Sequence, residues 1–286
     1  MKLRKGIFIT SIYAALFFSF CFTALGNENM GKNNEMYMRY ITAEDTELFS
    51  LPDKEIEFDA DKFFTALNSK NDYEVYIAIN RLIECYNDEE LKTKALNAIK
   101  PFKNDNREKI AEAAEFAIDI LSDKFENENV YIMKDKSVFF NTFCNYSDYG
   151  GYNKIWRIKD GKMKKYIALS DPMIYINSFY LSPDKSLLAV KVCSDKSDFL
   201  FVISPLNGKI GCEIVSSAKN RTAFENGYST DLSIDGENYC LADEIKWVEN
   251  NVLRFSGNFI YNDVGKMVDY EVEYDFSNGN ISVTKV

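Results

Sequence analysis

The 286-residue chain has no histidine, only five prolines, and 34 basic residues against 44 acidic ones. Without histidine, a Ser-His-Asp triad, a Cys-His pair and a histidine-ligated zinc site are excluded. The net charge of −10 argues against a nucleic-acid partner, because affinity for nucleic acid depends on clustered lysine and arginine. Gly150-Gly151 stand between tyrosines and lack the following helix of a phosphate-binding loop. The sequence therefore predicts neither a nucleic-acid partner nor a bound cofactor.

The N-terminus has the pattern of a secretory signal peptide. Three basic residues within the first five positions precede an uncharged stretch from Gly6 to Leu25, and small residues lie before a cut between Gly26 and Asn27. We therefore expect an exported protein, placed in the periplasm, the cell envelope or the medium. The uncharged stretch also has the roughly 20 residues needed to cross a bilayer, so an uncleaved N-terminal anchor is the alternative. Membrane contact is expected only through that segment.

Composition divides the remainder of the chain into three parts. Residues 27–56 are polar and lack periodicity, which is typical of a flexible tether. Residues 57–126 have the spacing of amphipathic helices, and residues 130–286 are rich in aromatic and β-branched residues interrupted by Asx-Gly turns. The sequence thus predicts a segregated α+β protein, with a short helical bundle before an all-β antiparallel domain.

Four helices are expected in the helical part. Asp59, Asn71 and Asp88 are the predicted N-caps of the first three, and Pro101 is expected to end the third. The apolar face of the second helix repeats in the fourth at an offset of 35 residues, which is typical of stacked helical pairs. The stretch from Asn104 to Ala114 resembles the second-helix entry of a HEAT repeat, and the resemblance covers residues 71–125. It implies a helical module of a kind that generally binds proteins.

The β-rich part also repeats itself. Asp135 to Phe140 matches Asp184 to Ala189 at an offset of 49 residues, and a further match follows at an offset of 66. Each unit reads as four antiparallel strands, with an Asx-Gly hairpin signal before the last one. The segment from Phe179 to Val190 resembles the S-P-D-G-K-x-L-A repeat of TolB-type, WD40-like propellers, although Ser186 follows the lysine here and the glycine of the family pattern is missing.

The resemblance implies a propeller-like domain of about three four-stranded units. Because propellers usually have 4–8 blades, three arrangements stay open: a small irregular propeller, an open stack of blade-like sheets, or a sandwich of repeated hairpins.

Two groups of residues are candidates for specific roles. Tyr146, Tyr149 and Tyr152 form a tyrosine-rich loop of the kind that makes protein contacts, or a loop that packs its own rings. Cys193 and Cys212 fall on neighbouring strands of one unit and are the candidate disulfide. Buried free thiols are the alternative, because the five cysteines after position 26 cannot all pair within the chain.

The leading functional hypothesis is an exported, non-enzymatic protein that binds another protein or acts as a scaffold in the cell envelope. One alternative is a carboxylate-dependent hydrolase of carbohydrate or envelope polymers, for which Asp243-Glu244 are the candidate acid pair. Another is an inhibitor or immunity-type protein. Residues 194–198 contain oxygen ligands suited to a hard cation, but they do not match the calcium-loop pattern, and no metal site is expected.

Overall fold

The computed structural model describes residues 58–146, 149–168, 175–193, 198–205, 209–210, 214–215, 218–219, 240–260 and 267–286. All of them fall in one compact unit of the chain, Tyr40–Val286. The predicted signal peptide with its cleavage site between Gly26 and Asn27, and all of the predicted tether, lie outside the described residues. Among the described residues, no helix has the length and apolar character needed to cross a membrane.

Four α-helices come first in this part of the chain. Their bounds are α1 (Ala60–Ala66), α2 (Asp72–Leu82), α3 (Glu89–Ile99) and α4 (Glu108–Leu121). Short 3-10 segments, Ile83–Asn87 and Lys100–Asn104, follow α2 and α3. The predicted N-caps are confirmed: the side chains of Asp59, Asn71 and Asp88 each accept hydrogen bonds from backbone N–H groups of the following turn. Helix α3 ends two residues before Pro101, as expected.

Twelve strands follow in the described residues and form three antiparallel sheets of four strands each. In every sheet the strands lie in chain order, so each sheet is a meander. Sheet 1 contains β1 (Tyr131–Ile132), β2 (Val138–Tyr146), β3 (Tyr149–Lys159) and β4 (Lys162–Ala168). Sheet 2 contains β5 (Tyr175–Leu181), β6 (Leu188–Cys193), β7 (Asp198–Ser204) and β8 (Lys209–Ile210). Sheet 3 contains β9 (Cys240–Trp247), β10 (Val252–Ile260), β11 (Met267–Asp275) and β12 (Asn280–Lys285).

The repeat seen in the sequence is a repeat of backbone geometry at the turns before β2 and β6. Lys136 has φ 64° and Lys185 has φ 61°, so both occupy the left-handed region. In both turns the aspartate before the lysine accepts a hydrogen bond from the backbone N–H of the serine after it. Lys136 and Lys185 therefore both adopt the conformation that favours glycine.

The hairpin signals are also confirmed where they fall on described residues. Asp160 and Gly161 both have positive φ, 52° and 70°, and join β3 to β4. That pair of angles is typical of the type I′ turn that Asp-Gly favours. Gly279, with φ 73°, lies in the turn between β11 and β12.

Sheet 1 is buried on both faces. One face packs against the helices through Val138, Phe140, Trp156, Ile158 and Met163. The opposite face carries Met133, Phe139 and Ile155, which pack against the face of sheet 2 formed by Ile176, Leu188, Val190, Val192 and Ile203. The other face of sheet 2 contacts sheet 3: Trp247 Nε1 donates to the Tyr180 carbonyl at 2.8 Å. Helices, sheet 1, sheet 2 and sheet 3 thus contact one another in chain order.

Asn87 attaches the helical part to the edge of sheet 1. Its side-chain amide donates to the Met163 carbonyl at 2.7 Å and accepts from the Met163 N–H at 2.8 Å. Since β4 is the edge strand of its sheet, the amide replaces part of the missing neighbouring strand. Edge strands covered in this way are protected from pairing with other chains.

Candidate functional site

An aromatic cluster lies where helix α2 meets strand β2, and we call Tyr73, Tyr76 and Phe143 the aromatic junction. The Tyr73 and Phe143 rings are 6.0 Å apart between centroids, and those of Tyr76 and Phe143 are 5.3 Å apart. Both pairs are edge-to-face, an arrangement worth about 0.5–1.5 kcal/mol beyond the area that it buries. The aromatic junction is therefore held in place by its own packing.

Local sequence positions these rings. Asn71 caps α2 by accepting from the Tyr73 N–H at 3.0 Å, so Tyr73 lies in the first turn. Tyr76 follows three residues later on the same side of the helix, beside the buried stripe that begins with Val75. Phe143 comes directly after an irregularity in the pairing of β2 with β3. Such a bulge redirects a side chain relative to a regular strand.

Tyr73 is 44% exposed, although it belongs to this packed cluster. Burial of part of its side chain raises the pKa of the Tyr73 hydroxyl above the ordinary value. The hydroxyl is accordingly a neutral hydrogen-bond donor at physiological pH. A rigid ring with a polar tip at the rim of a packed cluster is the type of residue that contributes most in protein interfaces.

The predicted tyrosine loop lies next to the aromatic junction along the chain. The backbones of Tyr146, Tyr149 and Tyr152 are strand residues of β2 and β3: Tyr146 pairs with Tyr149, and Phe143 pairs with Tyr152. Gly150 and Gly151 also pair within this hairpin, with Asn145 and Cys144 respectively. The prediction that these positions form a loop is therefore wrong. The tyrosine side chains lie outside the described residues, so their role in protein contact stays a prediction.

A second cluster lies on the face of sheet 2 that contacts sheet 3. The Lys191 cluster consists of Tyr175, Lys191, Cys193 and Asp198; Cys193 pairs across the sheet with Tyr175 on one side and Asp198 on the other. Lys191 Nζ lies 2.9 Å from Asp198 Oδ2 and donates to the Ala242 carbonyl at 2.6 Å. The Ala242 N–H in turn donates to Asp198 Oδ2 at 3.0 Å. These contacts connect β6, β7 and β9.

The protonation states in the Lys191 cluster favour a structural role. Burial raises the pKa of the Cys193 thiol to about 12, and the hydrogen bond and negative charge of Asp198 add to the effect. Burial alone would lower the pKa of Lys191, but the hydrogen bond and charge of Asp198 outweigh it and raise that pKa. The thiol is thus protonated and the lysine charged at neutral pH. Neither group has the shift expected of an activated nucleophile or base.

The predicted disulfide has one member in this cluster. Cys193 is a buried free thiol, as is Cys85, whose pKa is raised to about 11 by burial first and by the neighbouring Asp88 and Glu84 charges next. Cys212 lies outside the described residues, so its pairing with Cys193 stays a prediction.

The candidate acid pair Asp243-Glu244 lies on strand β9 at the irregular register between β9 and β10. Glu244 has φ 52°, and its carboxylate accepts from the Ser256 hydroxyl at 3.2 Å. Asp243 Oδ1 lies 3.5 Å from Lys191 Nζ, and its side chain is 62% exposed. Both carboxylates therefore have partners within the sheets. In the described part of the chain, no group of three or more Cys, Asp or Glu is placed to hold a metal ion.

Sequence reasoning missed both clusters. Tyr73 and Tyr76 carry a weak signal, since they are spaced by three residues beside the apolar stripe of a predicted helix. Lys191 carries another, because it is the one charged residue in the apolar run from Leu188 to Cys193. No protein-family model matches the chain, and no curated protein matches it.

Proposed function

We propose that this chain is an exported, non-enzymatic protein of the cell envelope that binds another protein, and that its contact surface is the aromatic junction with the adjoining β2–β3 hairpin. The observation that carries the proposal is the exposed Tyr73 ring, held edge-to-face with Phe143 at 6.0 Å between ring centroids. Rigid, partly exposed aromatic residues have a small entropy cost on binding and are enriched among the residues that dominate interfaces.

The architecture supports the same proposal. Under this proposal, the three meander sheets are blades of a propeller-like assembly of the TolB type, and helices α2 to α4 are a short HEAT-like module. HEAT-type repeats present extended surfaces for binding, and the resemblance to TolB-type repeats implies protein partners by fold analogy. The sequence pattern of the first 26 residues supports export.

The state of the titratable groups favours binding over catalysis. The free thiols of Cys85 and Cys193 have raised pKa values, and Asp135 and Asp198 are engaged by lysines. These groups stabilise contacts between strands and sheets, which is a sufficient reason for their presence. These residues therefore have a structural role in the proposed function.

Affinity capture from the native envelope under mild crosslinking tests the proposal. The tagged chain is compared with Tyr73→Ser and with Tyr175→Ser, a matched control because Tyr175 is 42% exposed but lies on sheet 2. We expect a discrete protein to be recovered with the unmodified chain and with Tyr175→Ser, and to be lost with Tyr73→Ser. Recovery of no protein, or the same protein in equal amount with both variants, would overturn the proposal.

A further inference from the structure

Charge is distributed unevenly along this acidic chain. Residues 131–168, which form sheet 1, carry eight basic and three acidic residues, a net charge of +5. Residues 58–126, which contain the four helices, carry ten basic and fifteen acidic residues, a net charge of −5. The positive charge of sheet 1 thus stands out against a chain whose total is −10.

Most of the basic residues of sheet 1 lie at one end of the sheet. The turns β1–β2 and β3–β4 lie at the same end of the meander, and the backbone N–H of Lys134 donates to the Lys185 carbonyl of the equivalent turn in sheet 2 at 2.8 Å. We call the cations at this end the cationic corner: Lys134, Lys136, Arg157, Lys159, Lys162 and Lys164.

Two cross-strand pairs of like charge form the centre of the cationic corner. Arg157 lies opposite Lys164, and Lys159 lies opposite Lys162. Because the two pairs are separated by two residues along each strand, all four side chains belong to the same face of the sheet. Like charges placed directly opposite one another destabilise a sheet. Lys162 and Lys164 are nevertheless both exposed here, in a position to meet a partner.

Three carboxylates offset only part of this charge. Asp135 Oδ2 accepts from Lys159 Nζ at 2.9 Å and from Arg157 Nη2 at 3.2 Å. Asp184 Oδ2 lies 3.6 Å from Lys134 Nζ, and Asp160 lies in the β3–β4 turn. Six cations thus face three carboxylates, which leaves a net charge of +3 at the corner.

We propose that the cationic corner binds an acidic, extended segment of the protein partner, with carboxylates at alternate positions. The two cation pairs are about 6.7 Å apart along the strands, since two residues span about 3.3–3.4 Å each. In an extended segment, acidic residues at positions i and i+2 are separated by the same distance. Charge-assisted hydrogen bonds between ammonium or guanidinium groups and carboxylates are stronger than neutral ones and give geometric selectivity.

The interspersed carboxylates favour this partner over an anionic lipid surface. Asp135 and Asp160 stand among the cations, so a continuous negative surface meets repulsion as well as attraction. A segment with discrete carboxylates can align with the cations and avoid the acids. This inference deepens the proposed function and rests on it.

Fluorescence anisotropy with labelled ten-residue peptides tests the inference on the full chain. The probe alternates threonine and glutamate, and a second peptide of the same composition has its five glutamates in one block. We expect the alternating peptide to bind at least about tenfold more tightly than the block peptide, and binding to weaken as salt is raised. We expect Lys162→Gln/Lys164→Gln to weaken binding about tenfold without lowering the melting temperature, because it removes like-charge repulsion.

Lys70→Gln/Lys109→Gln is the matched control, since both lysines are exposed on the helical part and the charge change is the same. It should leave binding unchanged within about twofold. Equal binding of the two peptides, or equal loss in the two double variants, would overturn the inference. Tighter binding to phosphatidylglycerol vesicles than to the alternating peptide, lost in Lys162→Gln/Lys164→Gln, would also overturn it by pointing to a membrane.

The two proposals fail separately. If Tyr73-dependent capture of a protein persists while the peptides show no preference for alternation, the inference on the cationic corner is wrong and the proposed function stands. If no protein is captured, the proposed function is wrong whatever the peptides do.

Discussion

Sheets 1 and 3 have the same four-stranded meander topology but are buried differently. In sheet 1, the consecutive residues Phe139 and Phe140 are both fully buried, one against sheet 2 and the other against the helices. In sheet 3, β10 alternates: Leu253, Phe255, Gly257 and Phe259 are buried and the residues between them are less so. A sheet with covers on both faces has continuous apolar runs, whereas a sheet at the end of a stack has period-two alternation. The burial pattern along the strands of sheets 1 and 3 therefore indicates whether each sheet is covered on one face or on both.

The largest expected effect comes from single aromatic residues. Phe139→Ala and Phe140→Ala should each lower the free energy of unfolding by about 3–5 kcal/mol, because each opens a cavity in a packed interface. In sheet 3 we expect such a loss for Phe255→Ala, but a loss below about 1 kcal/mol for its neighbour Arg254→Ala, whose ion pairs are partly exposed. Urea unfolding measures all four. A small effect for either sheet 1 residue would show that one of its faces is not covered.

The edge of sheet 1 offers a second test. Asn87→Ala removes the amide that pairs with the Met163 backbone, and leaves a buried N–H and C=O without these partners. The expected loss is about 2–3 kcal/mol, since an unsatisfied buried group loses its full desolvation energy. The control Asn97→Ala changes an exposed asparagine of α3 and should cost little. Equal unfolding midpoints for the two variants would show that the helical part does not cover this edge.

Ionic contacts should also differ between the two sheets. Asp135→Asn should cost about 2 kcal/mol at pH 7, because the carboxylate accepts charged hydrogen bonds in a half-buried turn. In sheet 3, Glu273→Gln disturbs a pair with Arg254 that is more than a third exposed, and should cost less than about 1 kcal/mol.

The contribution of Asp135 to the free energy of unfolding should decrease as the pH falls. Burial opposes ionisation, but hydrogen bonds from Lys159 and Ser137 outweigh it and lower the pKa to about 2 in the folded state. Since the unfolded pKa is about 3.9, the contribution is fully present above pH 4–5 and is lost as the pH falls toward about 2. Chemical unfolding at pH 6 and pH 3 should show a smaller drop for Asp135→Asn than for the unmodified chain. An equal drop would contradict the assigned shift.

The smallest expected effect is a gain in stability at the turns. Lys136→Gly and Lys185→Gly should each stabilise the fold by about 0.5–1 kcal/mol, because glycine adopts positive φ without the steric cost of a side chain. In sheet 3, described residues 248–251 between β9 and β10 include none with positive φ, so Asn250→Gly should bring no gain. Thermal unfolding distinguishes these cases, and a gain in all three sheets would contradict the difference between their turns.

Local chemistry explains what the sequence predicts well. The caps at Asp59, Asn71 and Asp88 and the Asp160-Gly161 turn each depend on a few neighbouring residues, and all four are confirmed. The alternation of β10 predicts a strand for the same reason. The four-strand units follow from such local signals, repeated at fixed offsets.

Contacts between distant residues explain what sequence reasoning missed. Lys154 is fully buried near Glu84, at 3.5 Å, although a lysine on a strand is ordinarily expected at the surface. The burial of Lys191 depends on Ala242, 51 residues away. The sequence predicts a loop around Gly150-Gly151, but pairing of these glycines with Asn145 and Cys144 extends the strands through it. Such placements depend on which sheet covers which, and no short segment contains that information.

Site-specific photo-crosslinking in intact cells tests the central claim, that the aromatic junction contacts a protein, most directly. A photoreactive phenylalanine analogue is placed at Tyr73 in one variant and at Tyr175 in another, positions of nearly equal exposure on the helical part and on sheet 2. The account predicts one discrete protein adduct from position 73 and none from position 175. No adduct from position 73, or the same adducts from both positions, would contradict it.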